Sequence, residues 1–107
     1  MSDGATIFTD ITSGVEIPLD GTLSRVLYKD ERLRLVVFAL DAGQELTEHT
    51  AAVPVVVQVM RGRLHLTLGS EEVTADPGAW IRMPAKLPHS VRALEPSIML
   101  LTMLPGG

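Results

Sequence analysis

Turn-forming residues interrupt this chain at short, nearly regular intervals, and this punctuation restricts the fold more than any other feature of the sequence. The interruptions are Asp20-Gly21, Lys29-Asp30, Ala42-Gly43, Arg61-Gly62, Gly69, Pro77-Gly78 and Pro84. Strands that recur about every eight to twelve residues with such breakers between them are typical of antiparallel sandwiches and barrels. No stretch of the sequence has the apolar period of a helix. We therefore expect an all-β fold.

The segments between the breakers have the residue types and alternation of strands. Residues 33–40 and 53–60 are rich in β-branched and apolar residues on both faces, which predicts strands that are covered on both sides. Residues 64–68 alternate between leucine and polar residues, which predicts one buried and one solvated face. Further strands are expected over residues 72–74, 80–83, 90–94 and 98–104.

Composition then excludes several classes of function. The 107 residues suit one domain, and we expect it to span residues 1–107, with an arm over 1–20 and a barrel over about 22–104. The arm could pair onto a sheet edge, including one of a second subunit. The chain has no cysteine, so disulfides, thiol nucleophiles and thiolate metal sites are absent. The net charge of −4 disfavours a nucleic-acid partner.

No membrane partner is expected either, because no apolar run approaches the roughly 18 residues that a spanning helix needs. The N-terminus also lacks the basic and apolar regions of a signal peptide. A cytoplasmic protein is therefore expected.

Two spaced motifs carry the chemically informative residues. The first reads Gly43-x5-His49-x-Ala51-x3-Val55-x6-Gly62, and the second reads Gly78-x5-Pro84-x-Lys86-x2-His89-x3-Ala93. Their spacings, and the distance between them along the chain, resemble the two signature motifs of the cupin superfamily over about residues 33–104. The resemblance implies an antiparallel jelly-roll β-barrel of the RmlC-like type, which is often dimeric.

Both motifs depart from the family pattern at positions that matter for chemistry. The family binds a metal through two histidines and a glutamate of the first motif and a histidine of the second. The resemblance leaves His49 and His89 as the surviving ligands, with Ala51 at the second histidine and Val55 at the glutamate. Lys86 replaces the turn glycine, so its backbone must avoid or tolerate a positive φ.

Two ligands of four do not make a tight metal site, since zinc and similar ions take three or four protein ligands. The alternative is a weakly held divalent metal (Fe, Mn, Ni or Zn) on His49 and His89, with solvent or substrate as the other ligands.

Period-two alternation predicts which side chains share a pocket with these histidines. If His49 points inward, Thr47 and Ala51 follow it, and the same reasoning places alternate residues of the later strands on the inner face. The predicted pocket consists of Thr47, His49, Ala51, Val55, Val57, Ile81, Met83, His89 and Val91.

Two functions are consistent with such a pocket. One is a non-catalytic or sensory small cupin that binds a small apolar or weakly acidic molecule, and no catalytic residue is assigned. The other is a metal-dependent enzyme, dioxygenase-like or isomerase-like, that uses His49 and His89. A homodimer is expected in either case, from the habit of the family and because residues 35–40 are apolar on both faces.

Overall fold

The computed structural model describes residues 4–106, and within that range it contains nine strands and no helix. The strands are β1 (Thr22–Lys29), β2 (Arg34–Leu40), β3 (Glu45–His49), β4 (Val55–Arg61), β5 (Leu64–Leu68), β6 (Glu71–Ala75), β7 (Trp80–Met83), β8 (His89–Ala93) and β9 (Ser97–Met103). The all-β prediction is confirmed. None of the described residues forms a helix long and apolar enough to cross a membrane.

The strands form two antiparallel sheets. One has the order β1-β2-β9-β4-β7 and the other has the order β3-β8-β5-β6. Several neighbours in each sheet are distant in sequence, since β2 pairs with β9, β9 with β4, and β3 with β8. This arrangement is the expected jelly roll.

The main core lies between the sheets and is formed by the alternate residues of each strand that point inward. Leu40, Leu64, Leu66 and Met99 are completely shielded from solvent. On β8, His89, Val91 and Ala93 share this inner face, as the alternation predicts, while the intervening Ser90 and Arg92 are more exposed. The inner face of β8 therefore carries one histidine beside two apolar side chains.

A second apolar cluster lies on the outer face of the first sheet and is covered by the N-terminal arm. Ile11, Val15 and Ile17 pack against buried residues of β2 and β9, including Val37 and Ile98. No strand occurs in the described part of the arm, residues 4–20. The arm thus covers the outer face of β2, which accounts for the two-sided apolar character of that strand within one chain.

The turn between β4 and β5 depends on a glycine. Gly62 has φ +84°, and a Cβ at this position would overlap the Pro96 carbonyl oxygen and the Ser97 hydroxyl. The buried Ser97 hydroxyl accepts a hydrogen bond from the backbone N–H of Arg63 at 3.0 Å and donates to the Glu95 carbonyl at 2.7 Å. These contacts join the start of β9 to the turn that precedes β5.

Candidate functional site

A cavity of about 470 Å³ opens between the two sheets, next to the edge strands β1 and β3. This is the volume of about sixteen water molecules at roughly 30 Å³ each, so it can hold a small organic molecule and not merely one ion. Its polar lining consists of Ser24, Arg34, His49, Thr50 and His89. Its apolar lining consists of Val26, Val36, Phe38, Ala51, Ala52, Val55, Leu101 and Met103.

The two motif histidines form a pair at this cavity. His49 on β3 lies directly opposite His89 on β8, and the centroids of their rings are 4.2 Å apart with an interplanar angle of 62°. His89 is buried, with 5% of its surface exposed, whereas His49 is exposed. The pair therefore has one member embedded in the core and one at the cavity opening.

A β-bulge in β3 gives His49 its inward position. Leu46 pairs with Val91 and His49 pairs with His89, so three steps on β3 correspond to two steps on β8. The extra residue shifts the alternation, as bulges do. Thr47 therefore lies outside the cavity lining and is exposed, contrary to the strict period-two prediction.

Both imidazole rings are held by the backbone carbonyl of the residue two positions earlier in the chain. Nδ1 of His49 lies 2.7 Å from the Thr47 carbonyl oxygen, and Nδ1 of His89 lies 2.8 Å from the Leu87 carbonyl oxygen. A carbonyl oxygen can only accept, so Nδ1 carries the hydrogen in each ring. In the neutral rings, Nε2 is then the atom that can accept a hydrogen bond or bind a metal.

The second motif contributes a loop that is bonded to the first. Lys86 has φ +68°, so its backbone adopts the left-handed conformation that the motif's usual glycine adopts easily. Its backbone N–H donates to the Ala51 carbonyl at 2.7 Å. The loop before His89 is thereby attached to the segment after His49.

The structure brings four of the nine predicted pocket residues to the cavity: His49, Ala51, Val55 and His89. The others, besides Thr47, face inward but lie outside its lining. Val57, Met83 and Val91 are at most 2% exposed, and Ile81 packs against the same core cluster. These four residues pack in the main core cluster.

The strands of the opposite wall were not anticipated. They are β1, β2 and β9, and Arg34 is their chemically distinctive contribution. Arg34 pairs with Met103, which in turn pairs with Val55, so these residues form a row across the sheet. The signal was present in the alternation, because Arg34 shares a strand face with Val36, Phe38 and Leu40, and a lone arginine on an inward face is unusual.

The Arg34 side chain is incompletely satisfied. Its Nε atom is buried and has no hydrogen-bond partner. The ion pairs found among residues 4–106 are Arg63 with Asp76 and His65 with Glu72, and neither involves Arg34. The cavity therefore contains a guanidinium without a protein counter-charge in the described chain.

The donor set of the cavity does not fit a tightly bound metal. The two histidines offer one Nε2 each, and Ala51 and Val55 offer no donor. Over residues 4–106, no group of three or more His, Cys, Asp or Glu side chains is placed to hold a metal ion. Tight divalent sites need three or four such ligands, so metal binding by His49 and His89 stays a prediction of weak affinity.

The third histidine lies elsewhere. His65 is on β5 between the buried Leu64 and Leu66, and it points to the outer face of the second sheet. Its Nε2 is 3.1 Å from a carboxylate oxygen of Glu72 on the neighbouring strand. His65 takes no part in the cavity.

Comparison with solved structures places this fold among known ones, although no protein-family model and no curated protein matches the sequence. A conserved protein of unknown function from Streptococcus pyogenes is 33% identical, with a TM-score of 0.82 over 97% of this chain and 90% of that one. An RmlC-like cupin protein from Desulfovibrio desulfuricans is 24% identical, with a TM-score of 0.84 over 94% of this chain and 98% of that one. A cupin superfamily protein from Desulfitobacterium hafniense is 19% identical, with a TM-score of 0.83 over 88% of this chain and 86% of that one.

Proposed function

Because the chain belongs to the cupin superfamily, a fold that hosts many unrelated activities, we propose its function from the cavity alone. The protein binds a small molecule between its two sheets, at the His49–His89 pair, in a non-catalytic or sensory role. The volume of the cavity is typical of a small-molecule site. So is its lining, which is mostly apolar with a few convergent polar groups.

The observation that carries this proposal is the preset geometry of the two histidines. Each ring is oriented by the carbonyl of the residue two positions earlier in the chain, and both rings line one cavity. A site that is ordered before binding loses less conformational entropy when the ligand enters. Two such rings present their Nε2 atoms as hydrogen-bond acceptors at fixed positions.

The other function considered, a metal-dependent dioxygenase or isomerase, has no comparable support. It would need a metal held by His49 and His89 with borrowed ligands, and the donor set at the cavity is too small for firm binding. Elemental analysis of untagged protein purified without chelator tests this directly. Near-stoichiometric metal that is lost in both His49→Ala and His89→Ala would contradict the metal-free proposal.

A fragment screen tests the binding function. Small neutral and charged fragments are scored by the rise in melting temperature of the wild type and of two variants. Ala51→Leu fills part of the cavity, and Ala42→Leu makes the same change at an exposed position outside it. We expect hits that are retained in Ala42→Leu and lost in Ala51→Leu. Equal responses in all three proteins, or none in the wild type, would contradict the proposal.

We also propose a homodimer. The arm of the same chain already covers the outer face of β2, so support comes instead from the edge strand β1, where Leu23 is 41% exposed. Light scattering at micromolar concentration is expected to give twice the chain mass. A monomer would refute the proposal.

A further inference from the structure

Arg34 is the only Lys, Arg, Asp or Glu side chain among the residues that line the cavity in the described chain. It is the first residue of β2, and the alternation of that strand directs it to the inner face with Val36 and Phe38. A charged group in such a position is normally paired with an opposite charge or a set of acceptors. Here its Nε is buried without a hydrogen-bond partner.

The surroundings of Arg34 strengthen any interaction that the guanidinium makes. Its neighbours across the sheet and along the strand are Met103, Val36 and Leu101, all of which line the cavity. Apolar neighbours lower the local dielectric constant, so an ion pair here is stronger than one in open solvent. They also shield Nε from water, so solvent compensates the charge of the guanidinium only in part.

The sign of the charge selects the ligand class. A guanidinium is permanently positive, and the histidine pair beside the cavity adds no negative charge. The positive charge of Arg34 would repel a metal cation. An anion would instead be attracted and could accept hydrogen bonds from the guanidinium. One permanent positive charge offsets one negative charge, and the planar fork of arginine matches the planar geometry of a carboxylate.

We infer that the ligand of this cavity is a small monocarboxylic acid whose carboxylate is bound by Arg34 and whose apolar body lies against Val36, Phe38 and Leu101. The Nε2 atoms of the His49–His89 pair then accept hydrogen bonds from a further polar group of the ligand. This inference rests on the proposed binding function and adds the chemical class of the ligand and its anchoring residue.

A matched pair of probes tests the inference. Hexanoate and hexanamide have the same length and apolar chain and differ in charge, and calorimetry measures the affinity of each. The wild type should bind hexanoate at least tenfold more tightly than hexanamide. Arg34→Met should weaken hexanoate binding at least tenfold and leave the affinity for hexanamide unchanged.

Arg92→Met is the matched control, because it removes the same charge from an exposed position on β8 that lies outside the cavity. It should keep hexanoate affinity within twofold, so that a general effect of net charge is separated from a local one. Equal losses in the two variants would overturn the inference. The hexanoate and hexanamide comparison in the wild type remains decisive if Arg34→Met does not fold.

Failure of the inference can be told apart from failure of the proposed function. If hexanamide binds as tightly as hexanoate and both are excluded by Ala51→Leu, the cavity is a binding site but Arg34 does not select a carboxylate. If neither probe binds at millimolar concentration, the inference is overturned, and the binding function is judged on the neutral and charged fragments of its own screen.

Discussion

Replacing Arg34 with methionine should stabilise the ligand-free protein. The buried Nε has no hydrogen-bond partner, so the wild type carries the desolvation cost of that donor. Methionine keeps an unbranched apolar stem of similar length against Val36 and Met103 but removes the polar group. A residue retained for binding and not for stability would behave in this way, because binding sites are seldom optimised for the stability of the empty protein.

The magnitude follows from the burial. A fully unsatisfied buried donor costs about 1–3 kcal/mol. Arg34 as a whole is only half-buried, and only its Nε is both buried and unpaired, so the lower end applies and we expect a gain of about 1 kcal/mol in the free energy of unfolding. For a domain of this size, that corresponds to a rise of about 4–8 °C in Tm.

Urea unfolding followed by far-UV circular dichroism measures the effect, with Arg92→Met as the control. Arg92 is exposed, so its replacement should change stability by no more than about 0.5 kcal/mol. A loss of about 1 kcal/mol or more in Arg34→Met, with Arg92→Met unchanged, would refute the reasoning. It would mean that the guanidinium stabilises the fold and is not an unsatisfied group held for a ligand.

Three further predictions concern the motif loop, the metal positions and acid stability. Lys86→Gly should stabilise the fold by about 0.5–1 kcal/mol in urea unfolding, because the strain of a non-glycine residue at positive φ exceeds the entropy cost of glycine. Equal stability of Lys86→Gly and Lys86→Ala would contradict this reasoning. The double variant Ala51→His with Val55→Glu adds two donors to His49 and His89 around one cavity, and it should retain zinc through gel filtration. A folded variant that binds no zinc would show that these side chains do not converge. The hydrogen bond that the Tyr28 hydroxyl donates, together with two backbone N–H groups, holds the pKa of Asp30 below its usual value. The stabilising contribution of the Asp30 carboxylate is therefore present above about pH 4 and lost as the pH falls through the lowered pKa. Tyr28→Phe should raise that pKa in a carboxyl ¹³C titration. An unchanged pKa would contradict the assignment.

The fold could be predicted from sequence because its signals are local. Glycine, proline and aspartate mark the turns, and alternation marks the strands, as in residues 64–68, where Leu64 and Leu66 are buried and His65 points outward. The two motifs placed His49 and His89 together, which the register of β3 and β8 now shows as direct partners. At Lys86, the motif left open whether the backbone avoids or tolerates a positive φ, and the structure has the positive φ.

What could not be predicted depends on contacts between distant segments. The bulge in β3 removes Thr47 from the inner face, and nothing in the local sequence marks the extra residue. The wall that contains Arg34 arises because β2 pairs with β9 and β9 with β4, a register that strand patterns alone do not specify. The arm was expected to pair along a sheet edge, whereas Ile11 and Val15 pack on a sheet face.

The most direct test of the central claim, that the cavity at the histidine pair binds a small organic acid, is an NMR titration of histidine-labelled protein with hexanoate. The chain has three histidines, and His65 on the outer face is an internal control. We expect the ring signals of His49 and His89 to shift together and to saturate, while the signal of His65 stays in place. Shifts of equal size at His65, or no shift at His49 and His89, would contradict the account.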